Sequence, residues 1–159
     1  MSIRPYTFLF LETVSEFFDI YVFTASTKHY AKAAIKKLNM SNKKPKMYIK
    51  DFLHREDCFK TKKEFCIKDL RVVKNRELKD MVIIDNLVHS FGLQINNGIP
   101  ILEFNGQSGD QELLKLIPFL KHLSKVEDVR PVIKKRFNLQ KLIEIDRKDI
   151  DNYFESLHS

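Results

Sequence analysis

Apolar positions along the chain follow two rhythms. Ile20-Tyr21-Val22-Phe23 and Met81-Val82-Ile83-Ile84 are short, continuous, β-branched-rich runs, the pattern of strands covered on both faces in a parallel sheet. Around them the spacing is helical. Phe10, Val14, Phe17 and Phe18 mark one face of a helix whose first turn Pro5 opens. Ser26 or Thr27 is placed to cap a second helix, in which Tyr30, Ala34 and Leu38 fall four apart and Asn39 marks the stop. Residues 42–45 read as a polar loop, 47–49 as a short strand, and 52–70 as an insert with no clear period. Asn97-Gly98 is a turn signal, and Ile99-Pro100-Ile101-Leu102 reads as an edge strand, where proline is tolerated. Leu113, Leu116, Ile117 and Leu120 line a further helix with Asp110 near its start, and residues 126–137 predict another. The alternation predicts an α/β domain, in which ligands gather at the carboxyl ends of the strands. Thr24, Asp85 and Asn86 lie at those ends, so a hydroxyl, a carboxylate and an amide are expected to converge on one crevice.

Composition narrows the class. A length of 159 residues suits one domain with a useful core, and 43% hydrophobic content with 13 Phe argues against disorder. No apolar run approaches the ~18 residues of a membrane span, and no signal-like or presequence-like start is present. Cys58 and Cys66 are too few and too irregular for a disulfide framework or a zinc site, so reduced thiols and a nuclear or cytoplasmic location are expected. The five histidines lack metal-binding spacing, and His29, His89 and His122 read as surface or structural residues. The net charge of +7 gathers at 43–46, 60–63 and 134–136. Without the aromatic-basic motif of a nucleic-acid module, that charge is not read as specific nucleic-acid binding.

Several strings occur in a fixed order: Arg4-Pro5, Phe23-Thr24-Ala25-Ser26, Arg55-Glu56-Asp57-Cys58, Ile67-Lys68-Asp69-Leu70 and Ile83-Ile84-Asp85-Asn86. Asn97 to Ile101, Glu112 to Leu120 and Glu127 to Ile133 continue the series. In this order the chain resembles the small C-terminal-domain phosphatases of RNA polymerase II, a branch of the haloacid dehalogenase superfamily, and most of all their small phosphatase-like members. The resemblance implies a three-layer Rossmannoid α/β domain over residues 4–140, with 141–159 as a C-terminal helical extension. It implies a Mg²⁺-dependent protein serine/threonine phosphatase working through a phospho-aspartyl intermediate. Thr24 would hydrogen-bond the transferring phosphoryl oxygens, Lys68 would neutralise phosphate charge, and Asp85 and Asn86 would belong to the Mg²⁺ site. These residue types suit the chemistry, since phosphoryl transfer rests on positioning and charge stabilisation and a hard cation prefers oxygen ligands.

The departures are as informative. Only Met1-Ser2-Ile3 precede Arg4, so the family's Asp-x-Asp nucleophile motif and the strand bearing it are expected to be missing. Loss of that central strand would open two sheet edges and leave the chain unstable or closed by compensating pairing. Leu87-Val88 stands where the family has Ser-Pro, a glycine before Lys68 is absent, and Glu103-Phe104-Asn105-Gly106 replaces Ser-Trp-Phe in a chain without Trp. Asp149-Ile150-Asp151 is the sole Asp-x-Asp string, but Arg147-Lys148 interrupts the run before it, so Asp151 reads as a helix cap. Asp110 and Glu112 read as capping and dipole-complementing residues. The expectation is a phosphatase domain inactive as given. The alternatives are a pseudophosphatase that binds phosphoproteins without turnover and a non-functional gene fragment.

Overall fold

The computed structural model describes residues 2–41, 47–62 and 64–143. The basic stretch 43–46, Lys63, the proposed cap at Asp151 and most of the proposed C-terminal extension lie outside these residues. The chain divides into two compact units, each built from two separated stretches: residues 1–58 with 101–127, and 59–100 with 128–159.

In the first unit, α1 (Thr7–Val14) leads to β1 (Ile20–Phe23), then α2 (Lys28–Ser41), β2 (Ile49–Leu53) and, from the later stretch, α3 (Glu112–Leu123). Strands β1 and β2 run parallel, with Val22 opposite Phe52 and Phe23 opposite Leu53. The first helix starts two residues after Pro5 instead of at it, because Tyr6 takes a left-handed φ of 63° and the Thr7 amide and hydroxyl both donate to the Arg4 carbonyl. It buries Leu11 and Val14 and ends there. Phe17 and Phe18 are therefore not part of its face; they sit in the following turn, ring edge to ring face at 5.7 Å. The predicted α2 stripe is also displaced. Tyr30 is exposed and Ala31 is the buried contact, and the helix runs past Asn39 to Ser41. The strand expected at 47–49 lies two residues later.

Arg4 fixes the start of α1 to the start of α3. Its guanidinium grips the Asp110 carboxylate through two hydrogen bonds of 2.8 and 2.6 Å and lies 5.5 Å from the Phe104 ring centre. Asp110 also accepts from the Glu112 amide at 3.1 Å, which is the capping role its sequence position suggests. These hydrogen bonds, Arg4's first among them, hold the Asp110 carboxyl below its ordinary value of 3.8.

The second unit contains an antiparallel hairpin, β3 (Phe59–Lys60) with β4 (Cys66–Ile67), and a parallel pair, β5 (Ile83–Asp85) with β6 (Gly98–Pro100). It closes with α4 (Val129–Phe137) and the single turn α5 (Gln140–Ile143). The parallel strands expected from the apolar runs are thus present as two separate pairs, and the hairpin resolves part of the aperiodic 52–70 insert. Leu70, Ile83, Phe91 and Leu139 form the core, with Leu78, Met81 and Phe137 packed against it. Asn97-Gly98 is no turn. The Asn97 amide, 2% exposed, donates to the Leu78 and Met81 carbonyls at 2.5 and 2.8 Å, and Gly98 begins β6 directly against the Phe91 ring. Asp128 caps α4 through the Arg130 amide, which moves its start to Val129. Lys134-Lys135-Arg136 fill its last turn, where cations complement the helix dipole.

Candidate phosphate site and family

In the first unit, the Thr24-Ala25-Ser26 loop leaves the carboxyl end of β1 and is gripped by the turn that follows β2. The Thr24 amide donates to the Leu53 carbonyl at 3.0 Å, the Arg55 amide to Ser26 at 2.9 Å, and the Arg55 Nε to Ala25 at 2.8 Å. His54 shapes that turn. Its backbone N–H donates to Asp57 at 2.8 Å while its ring Nδ1 accepts from the Glu56 amide, so a buried side chain closes a short capped helix. The Thr24 Oγ1 accepts from the Ser26 amide at 3.1 Å. That bond uses the oxygen as acceptor and leaves the hydroxyl proton available to an anion.

In the second unit, Lys68 follows β4 and Asp85 closes β5. The Lys68 Nζ donates to Asp85 Oδ2 with both side chains largely buried. Asp85 Oδ1 accepts from the Leu87 amide at 2.8 Å, which pins the turn carrying Asn86. Asn86 itself is exposed. The Lys68 amide donates to the Ser90 carbonyl at 2.6 Å, tying the lysine to the segment after β5. Asp85 accepts one of the three ammonium hydrogens.

The Lys68-Asp69-Leu70 string divides its labour. Lys68 pairs with Asp85, and Leu70 is core. Asp69 caps the short helix Leu70–Val72 by accepting from the Arg71 amide at 3.0 Å. Burial pushes the Asp69 carboxyl up, but hydrogen bonds and charge from Arg71, with the Gln94 amide, outweigh it and leave the carboxyl below its ordinary value. Gln94 bridges the string, donating to Asp69 at 2.9 Å and accepting from the Leu70 amide at 2.9 Å.

Thr24 thus belongs to the first unit and Lys68, Asp85 and Asn86 to the second. A divalent cation finds one carboxylate and one amide here, and both Asp85 oxygens already accept hydrogen bonds. No cluster of three or more His, Cys, Asp or Glu side chains able to hold a metal occurs among the described residues. The chemistry of the oxygen donors suits Mg²⁺, but their number does not make a centre. His29, His89 and His122 are exposed, as their neighbours suggest. The roles of His54, Ser90 and Gln94 had no sequence signal, because each acts through backbone or side-chain hydrogen bonds across a fold.

A sequence profile of the NLI interacting factor-like phosphatase family matches residues 1–130. The chain is similar to "CTD small phosphatase-like protein 2" of Dictyostelium discoideum, 44% identical over 140 residues, covering 88% of this chain and 24% of that protein. It is similar to "CTD nuclear envelope phosphatase 1B" of Danio rerio, 34% identical over 139 residues, covering 87% and 54%. It also matches "Mitochondrial import inner membrane translocase subunit TIM50" of Candida glabrata, 36% identical over 141 residues, covering 87% and 28%. The chain therefore spans from about a quarter to about half the length of these relatives. No helix among the described residues is long and apolar enough to cross a membrane. With its profile match running from the first residue through the start of α4, the chain belongs to the NLI interacting factor-like phosphatase family.

Proposed function

We propose that this chain carries the phosphate-binding portion of a protein serine/threonine phosphatase, with phosphoserine proteins as the ligand class. The observation that carries this reading is the buried Lys68–Asp85 pair at the end of β5, which presents an ammonium with hydrogens to spare in a member of a phosphatase family. In this proposal, carried by the family resemblance, the Thr24 hydroxyl has the role of a donor to phosphoryl oxygen and Lys68 that of a cation neutralising phosphate charge. Asp85 and Asn86 contribute oxygen ligands to Mg²⁺, which when bound would offset charge on the transferring group. The two donors are too few alone, so tight Mg²⁺ binding requires a further carboxylate.

The second reading is a chain that binds phosphate without turnover. It is favoured by the sequence, whose single Asp-x-Asp within residues 1–159 is Asp149-Ile150-Asp151, preceded by Arg147-Lys148 instead of an apolar strand. We propose that these 159 residues alone do not hydrolyse phosphoserine and that turnover needs a carboxylate nucleophile from a longer protein. Titration with inorganic phosphate and a phosphoserine peptide, beside an aryl phosphate hydrolysis assay with Mg²⁺, tests both readings. Binding lost in Lys68→Ala without hydrolysis is the expected result. No binding by the folded chain would sink the phosphate site, and sustained turnover abolished by Asp151→Asn would make Asp151 the nucleophile after all. A nuclear or cytoplasmic location remains part of the proposal, and imaging of the tagged full-length protein tests it against the mitochondrial setting named for one relative.

A further inference from the structure

α2 carries Lys28, Lys32, Lys36 and Lys37 and contains no acidic residue. Its buried side faces inward through Ala31. Another side borders an open groove of about 580 Å³ within the first unit, lined by the apolar Ile35, Met40, Met47 and Phe52 together with Lys32, Lys36 and Asn39. Met40 and Met47 are each 77% exposed. Two large apolar side chains held open to water beside a concave surface are a recognition feature more than a packing one. Methionine suits such a role, since its unbranched thioether adapts to the shape laid against it. Lys32 and Lys36, four apart on one helix face, are exposed, and neither has a carboxylate partner among the described residues.

We infer that this groove docks an acidic amphipathic helix of a partner protein, its apolar ridge against the methionines and its flanking carboxylates against Lys32 and Lys36. Charge selects this occupant. A second copy of the chain would bring another net charge of +7, and pairing through α2 would set lysines against lysines. A concave apolar floor is also poorly shaped for a flat anionic membrane, whereas an apolar ridge rimmed with carboxylates complements it.

The test uses the full chain and a fluorescein-labelled synthetic helix with Leu at positions i, i+3, i+4 and i+7 and Glu on both flanks. The control peptide replaces every Glu with Lys. Anisotropy should show saturable binding of the acidic peptide, at least about tenfold tighter than the control and weakened by salt. Lys32→Glu with Lys36→Glu should weaken it by about tenfold. Met40→Ser with Met47→Ser, both at exposed positions, should do the same while circular dichroism stays unchanged. Equal affinity for both peptides overturns the proposal, as does no saturation with the acidic one. Preferential binding to phosphatidylcholine–phosphatidylserine vesicles would assign the face to a membrane, and a dimer lost in the methionine variant would assign it to self-association.

Discussion

Gly98→Ala tests the packing of the second unit with a single methyl group. A Cβ built at Gly98 would lie 1.9 Å from Phe91 Cε2, 2.1 Å from Cδ2 and 2.7 Å from Cζ, against the ~3.5–4.0 Å of a good carbon contact. The ring must retreat by about 1.5–2 Å to restore that spacing. It has nowhere open to go, since Phe91 is 0% exposed and packs in the core with Leu70, Ile83 and Leu139. Backbone strain plays no part, because φ −98° and ψ 133° suit any residue. Alanine would even restrict the unfolded chain, a gain of about 0.4–1 kcal/mol. Overpacking of this kind costs about 1–3 kcal/mol, and so deep an overlap belongs at the top of that range. The expected net loss is about 2 kcal/mol, a large share of the ~5–15 kcal/mol of a whole domain. Because the chain has no Trp, urea unfolding is followed by far-ultraviolet circular dichroism. The midpoint should fall by about 1 M for a slope near ~2 kcal/mol/M. Trimming the ring with Phe91→Leu in the same chain should make the pair of changes cost less than their sum. An unchanged midpoint for Gly98→Ala, or strict additivity of the two changes, would refute the reasoning.

Other perturbations probe the site and the first unit. Lys68→Met leaves the Asp85 carboxylate buried without its cation and should cost about 3 kcal/mol, most of it recovered by adding Asp85→Leu; a double variant no more stable than the single would contradict the pairing. Asn97→Asp sets a carboxylate where an amide donates to two carbonyls, and chemical denaturation should show a larger loss than the ~1–3 kcal/mol expected for a missing donor, whereas wild-type stability would disprove the donor role. The depressed Asp110 carboxyl contributes stability that is full above its unfolded value of about 4 and is lost as pH falls through the lower folded value. Arg4→Gln should therefore flatten the acid limb of the melting-temperature profile below about pH 4, and parallel profiles for the two proteins would discount the Arg4 contact.

β1 and β5 were legible because their runs are continuously apolar, although the double coverage those runs suggest is not met: Tyr21 of β1 is exposed and Ile84 of β5 is half-buried. β1 coincides with its run, while β5 starts two residues late because Met81 caps a short helix and Val82 precedes the ladder. Errors came where one local signal met a distant partner. Asn97-Gly98 has turn chemistry, yet the asparagine answers carbonyls nearly twenty positions upstream and the glycine exists to admit a ring. Pro5 suits a first helical turn, yet Arg4 and Thr7 build a tighter bend there. Thr24, Lys68, Asp85 and Asn86 could be nominated from order and spacing, since each ends or follows a strand. The supports around them were not readable. Arg55 holds the Thr24 loop from about thirty residues away, and no periodicity encodes a side chain reaching a backbone carbonyl.

The interleaving of the two units along the chain has a consequence for how the protein is made. α1 leaves the ribosome with Leu11 and Val14 to bury, but the helix it packs against, α3, begins about a hundred residues later at Glu112. At about 5–20 residues per second, those hundred residues take about 5–20 s to synthesise, during which α3 and Asp110 are not yet there for the apolar face of α1 and the guanidinium of Arg4. The second unit is likewise incomplete until α4 follows. Nascent chains halted at Pro100 should therefore hold both units open together, which makes this stretch of synthesis the interval when chaperones have most of the protein to protect.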